Sequence, residues 1–233
     1  MKKLVYIIVA FVLVAATAVK VSAQSEESRS VSGFNGVGSA GPFEVHVKID
    51  GTESLKIKAS REAIKEIETY VKDGKLQIKF KHHDYSDDNN FGRIDIYVTA
   101  KSLSSLANAG SGSIKVEGSI TGDASIALSG SGNVYSAVKA GHVHVAISGS
   151  GSVDLSGTAD ETKISIAGSG DLNGKRFKTG SANVSIAGSG NAHFGADKTI
   201  SATIVGSGNV YYSGNATVGN TRTIGSGRVS KEN

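Results

Sequence analysis

Residues 143–155 read VHVAISGSGSVDL, and variants of this segment recur along the C-terminal half of the chain. Apolar residues alternate with polar or small ones on both sides of the tripeptide Gly-Ser-Gly. The tripeptide occurs seven times, beginning at Gly110, Gly130, Gly149, Gly168, Gly188, Gly206 and Gly225. The intervals are 20, 19, 19, 20, 18 and 19 residues. A fixed period with a turn signal in each copy is typical of stacked-repeat proteins, whereas a flexible Gly/Ser linker would lack apolar residues at fixed offsets.

Aligning the copies on Gly-Ser-Gly reveals apolar columns. Two positions before the motif stand Asn108, Leu128, Ile147, Ile166, Ile186, Ile204 and Thr223, and two positions after it stand Ile114, Val134, Val153, Leu172, Ala192, Val210 and Val229. The period of two within each arm indicates strands with one face inward, and the terminal copies turn polar, as capping repeats do. We predict an all-β fold, a right-handed parallel β-helix with coils of about 19 residues over 101–233. An antiparallel sandwich is the alternative, but it does not explain the constant register of the columns.

The chain begins with features of a secretory signal peptide. Lys2 and Lys3 precede an apolar run over 4–19, and the small residues of Val21-Ser22-Ala23 predict cleavage after Ala23. The alternative is an uncleaved membrane anchor, for which the run is somewhat short. Loss of residues 1–23 removes three of the 25 basic residues and leaves 22 against 21 acidic ones, a net charge of +1. We therefore expect an exported protein, in the periplasm or at the cell surface, with no remaining membrane span and no nucleic-acid partner.

The segment before the repeats divides into two parts. Residues 24–30 are polar and aperiodic, which predicts a disordered leader. Residues 31–100 form an N-terminal β region that continues or caps the β-helix. Within it we predict a strand over 43–49, a turn at Asp50-Gly51 followed by a second strand, a short helix over 61–67, and a hairpin over 67–80 that turns at Asp73-Gly74.

Several motifs of the chain resemble a known family. The segments FNGV from Phe34, PFEVHV from Pro42 and VKDGKLQI from Val71 are similar to the opening of the putative auto-transporter adhesin, head GIN domain family. The serial Gly-Ser-Gly-Asx-Val copies resemble its second half, so that the resemblance extends over about residues 31–230. It implies an exported bacterial protein of β-helical build, without an established reaction or agreed binding residues.

Candidate sites for chemistry are sparse. A polysaccharide-cleaving enzyme needs paired carboxylates, but Asp154 and Asp171 occupy different columns, and Asp123 and Asp160 lie in the connecting arms. The chain has no cysteine, which excludes thiolate metal sites. The His142-Val-His144 segment, and His82-His83 beside three aspartates, are weak metal candidates. We predict no catalytic residue, no cofactor and no metal.

Two outward columns bear on binding. The residues directly after each motif, which include Asn133, Asp171, Asn191 and Asn209, predict a ladder of hydrogen bonds rather than a ligand row. Tyr135 and Tyr211 should also point outward, together with His193 and Asp154, and a glycan role for them would require an extended polymer.

A third column consists of small residues. Three positions before the motifs stand Ala107, Ala127, Ala146, Ser165, Ser185 and Thr203. This column should face outward and permit close approach of another subunit or a partner, although crowding at the corners would also select small residues. We interpret the chain as a non-catalytic cell-envelope protein, an adhesion, binding or structural module whose partner is an envelope protein, a glycan or a second copy. The alternative is a carbohydrate-active enzyme with its site in a groove along the helix.

Overall fold

The computed structural model of the chain describes residues 24–81 and 91–232. Of these residues, 74% lie in strands of a single sheet that winds into a β-helix of about seven turns. The strands are β1 (Ser25–Arg29), β2 (Gly36–Ala40), β3 (Glu44–Ile49), β4 (Ser54–Ala59), β5 (Ile67–Lys72), β6 (Lys75–Phe80), β7 (Asp95–Ala100), β8 (Ser105–Gly110), β9 (Ser113–Thr121), β10 (Ala124–Gly130), β11 (Asn133–Gly149), β12 (Ser152–Gly168), β13 (Asp171–Gly188), β14 (Asn191–Gly206), β15 (Asn209–Ser213), β16 (Thr217–Gly225) and β17 (Arg228–Lys231). The helix α1 spans Arg61–Glu66.

The repeat region confirms the predicted β-helix. Each of the long strands β11 to β14 contains both arms of one coil and pairs in parallel with the coils before and after it. The register of β11 with β12 runs from Asn133 opposite Ser152 to Gly149 opposite Gly168, so that equivalent positions of successive repeats lie directly over one another. These parallel pairings rule out the antiparallel sandwich.

The predicted inward columns form the core. Ile147, Ile166 and Ile186 are cross-coil partners and are each at most 2% exposed. In the first repeat this column contains Asn108, which is buried. Its Nδ2 donates a hydrogen bond to the Gly112 carbonyl of the same corner at 2.7 Å. The final strands are different, because all of β16 is exposed. The polar Thr223 therefore occupies the interior position of a coil that has no further coil above it among the described residues.

Both glycines of the Gly-Ser-Gly corner are sterically required. The first glycine has a positive φ, for example +113° at Gly149, which a residue with a side chain adopts only with strain. Its carbonyl accepts two backbone bonds from the next coil, such as those from Ser150 and Gly151 to the Gly130 oxygen at 2.9 and 3.0 Å. The second glycine, at the third position of the motif, lies so close to the coil below that a Cβ on Gly151 would stand 2.1 Å from the Gly132 oxygen. The motif is therefore a contact point between coils.

The N-terminal region extends the same stack. Strand β2 pairs in parallel with β6 and β8, and β3 pairs in parallel with β7 and β9. The predicted hairpin is confirmed as β5 and β6, which are antiparallel. The predicted helix is confirmed as α1, where the Ser60 hydroxyl accepts a bond from the Ala63 amide at 3.1 Å as an N-cap.

Two features of this region differ from the sequence-based expectations. The predicted disordered leader is wrong for Ser25–Arg29, because this segment is β1 and pairs antiparallel with β4. Arg29 fixes it by donating from Nη1 to the Ile67 carbonyl at 2.8 Å and from Nη2 to the Ile64 carbonyl at 3.0 Å. The second difference concerns β3 and β4, which do not pair across the Asp50-Gly51 turn, because β7 lies between them.

Two of the predictions fall on other parts of the chain. The signal peptide over 1–23 and the His82-His83 loop lie outside the described residues, so both remain predictions. In the part of the chain that the structure describes, no helix has the length and apolar composition needed to cross a bilayer.

Candidate functional site

The small residues three positions before each motif form one straight outward column, which we name the small-residue strip. Each is the cross-coil partner of the next. Its members are Ala107, Ala127, Ala146, Ser165, Ser185 and Thr203. Ala146 and Ser165 are half-buried and the other four are exposed. The strip lies outside the core because it alternates along the strand with the buried columns.

A second outward column runs beside the strip, one position before each motif. It consists of Ala109, Ser129, Ser148, Ala167, Ala187, Val205 and Ile224. From Ala107 to Ala187 the two columns line a shallow groove of about 490 Å³. Val205 and Ile224 are 46% and 52% exposed, which is high for aliphatic side chains. The small-residue strip is therefore part of a flat, uncharged face.

Charged side chains bound this face at both ends. At the N-terminal end, Lys79 is the cross-strand partner of Ala40, which in turn pairs with Ala109. The Lys79 ammonium lies 3.3 Å from the Glu68 carboxylate. At the C-terminal end, Arg222 is the partner of Thr203. The uncharged stretch is thus limited to the middle coils.

The column directly after the motifs forms the predicted hydrogen-bond ladder. Asn191 donates from its backbone nitrogen and from Nδ2 to the Asp171 carboxylate, at 2.8 and 3.0 Å. Asn209 makes the same pair of bonds to Asn191 Oδ1, at 3.2 and 3.1 Å. The Ser152 hydroxyl donates to Asn133 Oδ1 at 2.8 Å. These side chains bond to the neighbouring coil, so the ladder stabilises the stack.

The column three positions after the motifs contains most of the outward rings, and we name it the aromatic column. Its members are cross-coil partners and run in the order Tyr97, His46, Lys115, Tyr135, Asp154, Asn173, His193 and Tyr211. Tyr97 and Tyr135 are 43% and 40% exposed. Two ring pairs stack along the column, His46 on Tyr97 with centroids 5.0 Å apart and His193 on Tyr211 at 4.6 Å.

Tyr97 and His46 were not identified from the sequence as members of this column. They belong to coils that lack Gly-Ser-Gly, so no motif sets their register. In β7 the buried Ile96 and Val98 flank the exposed Tyr97, but only the insertion of β7 between β3 and β4 brings Tyr97 beside His46.

His142, one of the weak metal candidates, is engaged in other contacts. The ring nitrogen Nδ1 of His142 lies 3.0 Å from Asp123 Oδ1, and the His142 amide donates to the same oxygen at 3.2 Å. Its Nε2 lies 3.9 Å from Glu161. His144 lies two residues further along the same strand and is the cross-coil partner of Lys163. Within residues 24–81 and 91–232, no group of three or more His, Asp or Glu side chains is arranged to hold a metal ion.

The contact with Asp123 predicts a titration shift. Hydrogen bonding to the Asp123 carboxylate, with its charge, raises the pKa of His142 above its ordinary value. The stabilisation from this imidazolium is present at low pH and is lost as pH rises through the raised pKa. We expect an NMR pH titration of the ring protons to give a higher midpoint in the wild type than in Asp123→Asn. Equal midpoints in the two proteins would contradict the contact.

The carboxylates considered for catalysis have separate roles. Asp171 accepts two hydrogen bonds within the ladder, and Asp123 pairs with His142. Asp154 lies in the aromatic column, where its cross-coil partners are Tyr135 and Asn173. A glycosidase needs one carboxylic acid that donates a proton beside a second carboxylate. A ladder acceptor such as Asp171 does not fit the role of the proton donor.

A family model matches residues 33–216 of the chain, and the family is described as putative auto-transporter adhesin, head GIN domain. No curated protein matches significantly. Several solved structures share the fold, and three of them cover 90% of this chain. A putative adhesin from Bacteroides fragilis is 22% identical, with a TM-score of 0.81 and 97% of that chain covered. A putative adhesin from Parabacteroides merdae is 22% identical, with a TM-score of 0.71 and 96% covered. A putative lipid binding protein from Parabacteroides distasonis is 23% identical, with a TM-score of 0.70 and 97% covered.

Proposed function

The chain belongs to the putative auto-transporter adhesin, head GIN domain family, and on that premise we propose that it is a non-catalytic binding module of the cell envelope. We propose that it is exported to the periplasm or the cell surface. The names of its structural relatives, two putative adhesins and a putative lipid binding protein, support a binding role over the polysaccharide-cleaving alternative. The carboxylates do not favour that alternative either, because Asp171 and Asp123 are held in contacts of their own.

The observation that supports this function best is the flat, uncharged face around the small-residue strip. Exposed contiguous apolar surface on a soluble protein commonly marks an interaction site. Small side chains in register over successive coils leave the sheet nearly smooth, so that another flat surface can approach closely. Val205 and Ile224 add apolar area that water does not favour.

We propose that a second copy of the chain covers this face. A two-fold axis places the same surface of both copies in contact, and an antiparallel arrangement would bring Arg222 of each copy towards the Glu68 end of the other. The Lys79–Glu68 pair has no net charge, so Arg222 would approach the Glu68 carboxylate without facing a net positive charge, while the uncharged middle coils pack together. Charge contacts at the ends of an interface fix orientation more than affinity.

The dimer is tested by placing charge in the middle of the strip. We expect the wild type to be dimeric by multi-angle light scattering and the double variant Ala146→Arg/Ser165→Arg to be monomeric, because two guanidinium groups per copy would be buried without partners. The matched control is Ser119→Arg/Thr158→Arg, which adds the same charge at exposed positions on the other arm and should remain dimeric. A monomeric wild type, or a double variant of unchanged mass, would contradict the proposal.

A further inference from the structure

The aromatic column has the dimensions of a site for a long ligand. Tyr97, Tyr135 and Tyr211 lie in one line along the helix axis, separated by three and four coils. At about 4.8 Å per coil these separations are about 14 and 19 Å. A ligand that touches all three side chains must therefore extend over about 34 Å, and a single small molecule cannot do so.

The surroundings of the tyrosines are polar and of mixed charge. Near Tyr135 a groove of about 400 Å³ is lined by Glu44, His46, Ser113, Lys115, Asn133 and Tyr135. It combines a carboxylate, an ammonium group, an amide and hydroxyls beside a half-exposed ring. Such groups bond readily to hydroxyls, which both donate and accept hydrogen bonds. An aromatic ring supplies the apolar contact for the C–H groups of a sugar ring.

The mixed charge also limits the kind of polymer. Glu44 and Asp154 alternate along this face with Lys115 and the histidines, so neither a polyanion nor a polycation meets a uniform complementary field. Polar or charged side chains, such as those of Lys115, Asp154 and Asn173, separate the rings of the column, which disfavours an acyl chain. A neutral, polyhydroxylated chain fits these conditions.

We propose that the aromatic column binds a neutral polysaccharide that lies along the helix axis, with its centre in the Tyr135 groove and flanking contacts at Tyr97 and Tyr211. The stacked histidines support the flanking tyrosines, because His46 packs on Tyr97 and His193 packs on Tyr211. This inference rests on the proposed function as a binding module and gives the module a ligand class. It uses a different face from the small-residue strip, so the two surfaces can act at the same time.

The test is affinity electrophoresis in gels that contain soluble β-glucan, xylan, galactomannan or dextran. We expect at least one of these polymers to retard the wild type. The variant Tyr97→Ala/Tyr135→Ala should bind it at least about tenfold more weakly, because a few aromatic anchors supply most of the energy of such interfaces. Tyr135→Phe keeps the ring and should bind nearly as well as the wild type. We expect no reducing ends to be released during incubation.

The control is Tyr70→Ala, a tyrosine on another face of the β-helix where Lys79 lies over the ring, and its retardation should equal that of the wild type. Equal thermal unfolding midpoints would show that all variants are folded. Lack of retardation by every polymer, or retardation that the tyrosine double variant retains, would overturn the inference. Release of reducing ends would overturn the non-catalytic function itself. Light scattering on the same samples shows whether each variant is still dimeric. Loss of polysaccharide binding can thereby be distinguished from loss of the dimer, which depends on the small-residue strip.

Discussion

Replacement of Gly151 by alanine is expected to reduce the free energy of unfolding by about 3 kcal/mol, the upper part of the range for overpacked sites. The new Cβ would stand 2.1 Å from the Gly132 carbonyl oxygen and 2.9 Å from a methyl group of Leu128. The carbonyl cannot turn away freely, because it accepts the Ser152 amide at 3.2 Å. The two coils must therefore separate locally, and each backbone bond that weakens adds about 0.5–1.5 kcal/mol to the loss.

Urea and thermal denaturation measure this effect, and the midpoint temperature should fall by about 6–12 °C, at about 2–4 °C per kcal/mol for a chain of this size. Gly141→Ala is the matched control. It lies in the same coil, and the only atom near its added Cβ is Asp123 Oδ1 at 3.6 Å, an ordinary contact. This variant should be neutral or slightly stabilised, because alanine restricts the unfolded chain. Equal destabilisation by both variants would show that the close contact at Gly151 is not what limits the substitution.

The same contact explains why the fold of the repeat region could be predicted from sequence. A Cβ at Gly190, Gly208 or Gly227 would also lie 2.1–2.3 Å from the glycine carbonyl one coil below. Each copy of the motif therefore fixes the register of the next coil, and residues at equivalent positions of successive repeats lie over one another. The ladder of Asp171, Asn191 and Asn209 depends on the same register, and for that reason it could be expected from sequence alone.

Where the motif is missing, the sequence was a poor guide to register. Nothing in the order of β3, β4 and β7 indicates that the last of them lies between the first two, because apolar alternation predicts a strand but not its partner. Tyr97 and His46 were missed for this reason. Ser25–Arg29 was predicted to be disordered because it is polar and aperiodic, and the strand that it forms is exposed at the edge of the sheet and buries no apolar side chain. Backbone pairing and the contacts of Arg29 hold it instead, and neither leaves a pattern in the sequence.

The second large effect is expected in the core, where Ile166→Ala should reduce the free energy of unfolding by about 2–5 kcal/mol. Ile166 is 2% exposed and lies between Ile147 and Ile186 in the middle of its column. The coils above and below are held apart at a fixed spacing by parallel backbone bonds, so they cannot move together to fill the cavity. Retained cavity volume is what raises the cost of such truncations above simple transfer.

Two further variants separate the cost of the cavity from the cost of removing apolar atoms. Ile166→Val removes one methylene and should cost about 0.5–1.5 kcal/mol. Ile224→Ala removes the same atoms as Ile166→Ala, but from a side chain that is 52% exposed on the last coil. Introduced into the Ala146→Arg/Ser165→Arg variant, in which no second copy covers Ile224, it should change stability by at most about 0.5 kcal/mol. Denaturant titrations of the three variants give these values directly. If Ile224→Ala cost as much as Ile166→Ala, the last coil would be as tightly packed as the middle ones, and the exposed end of the stack would have to be covered in solution by another surface. Each coil is stabilised mainly by its neighbours. The difference between the stability losses of Ile166→Ala and Ile224→Ala therefore measures how much weaker the packing between coils becomes towards the C-terminal end.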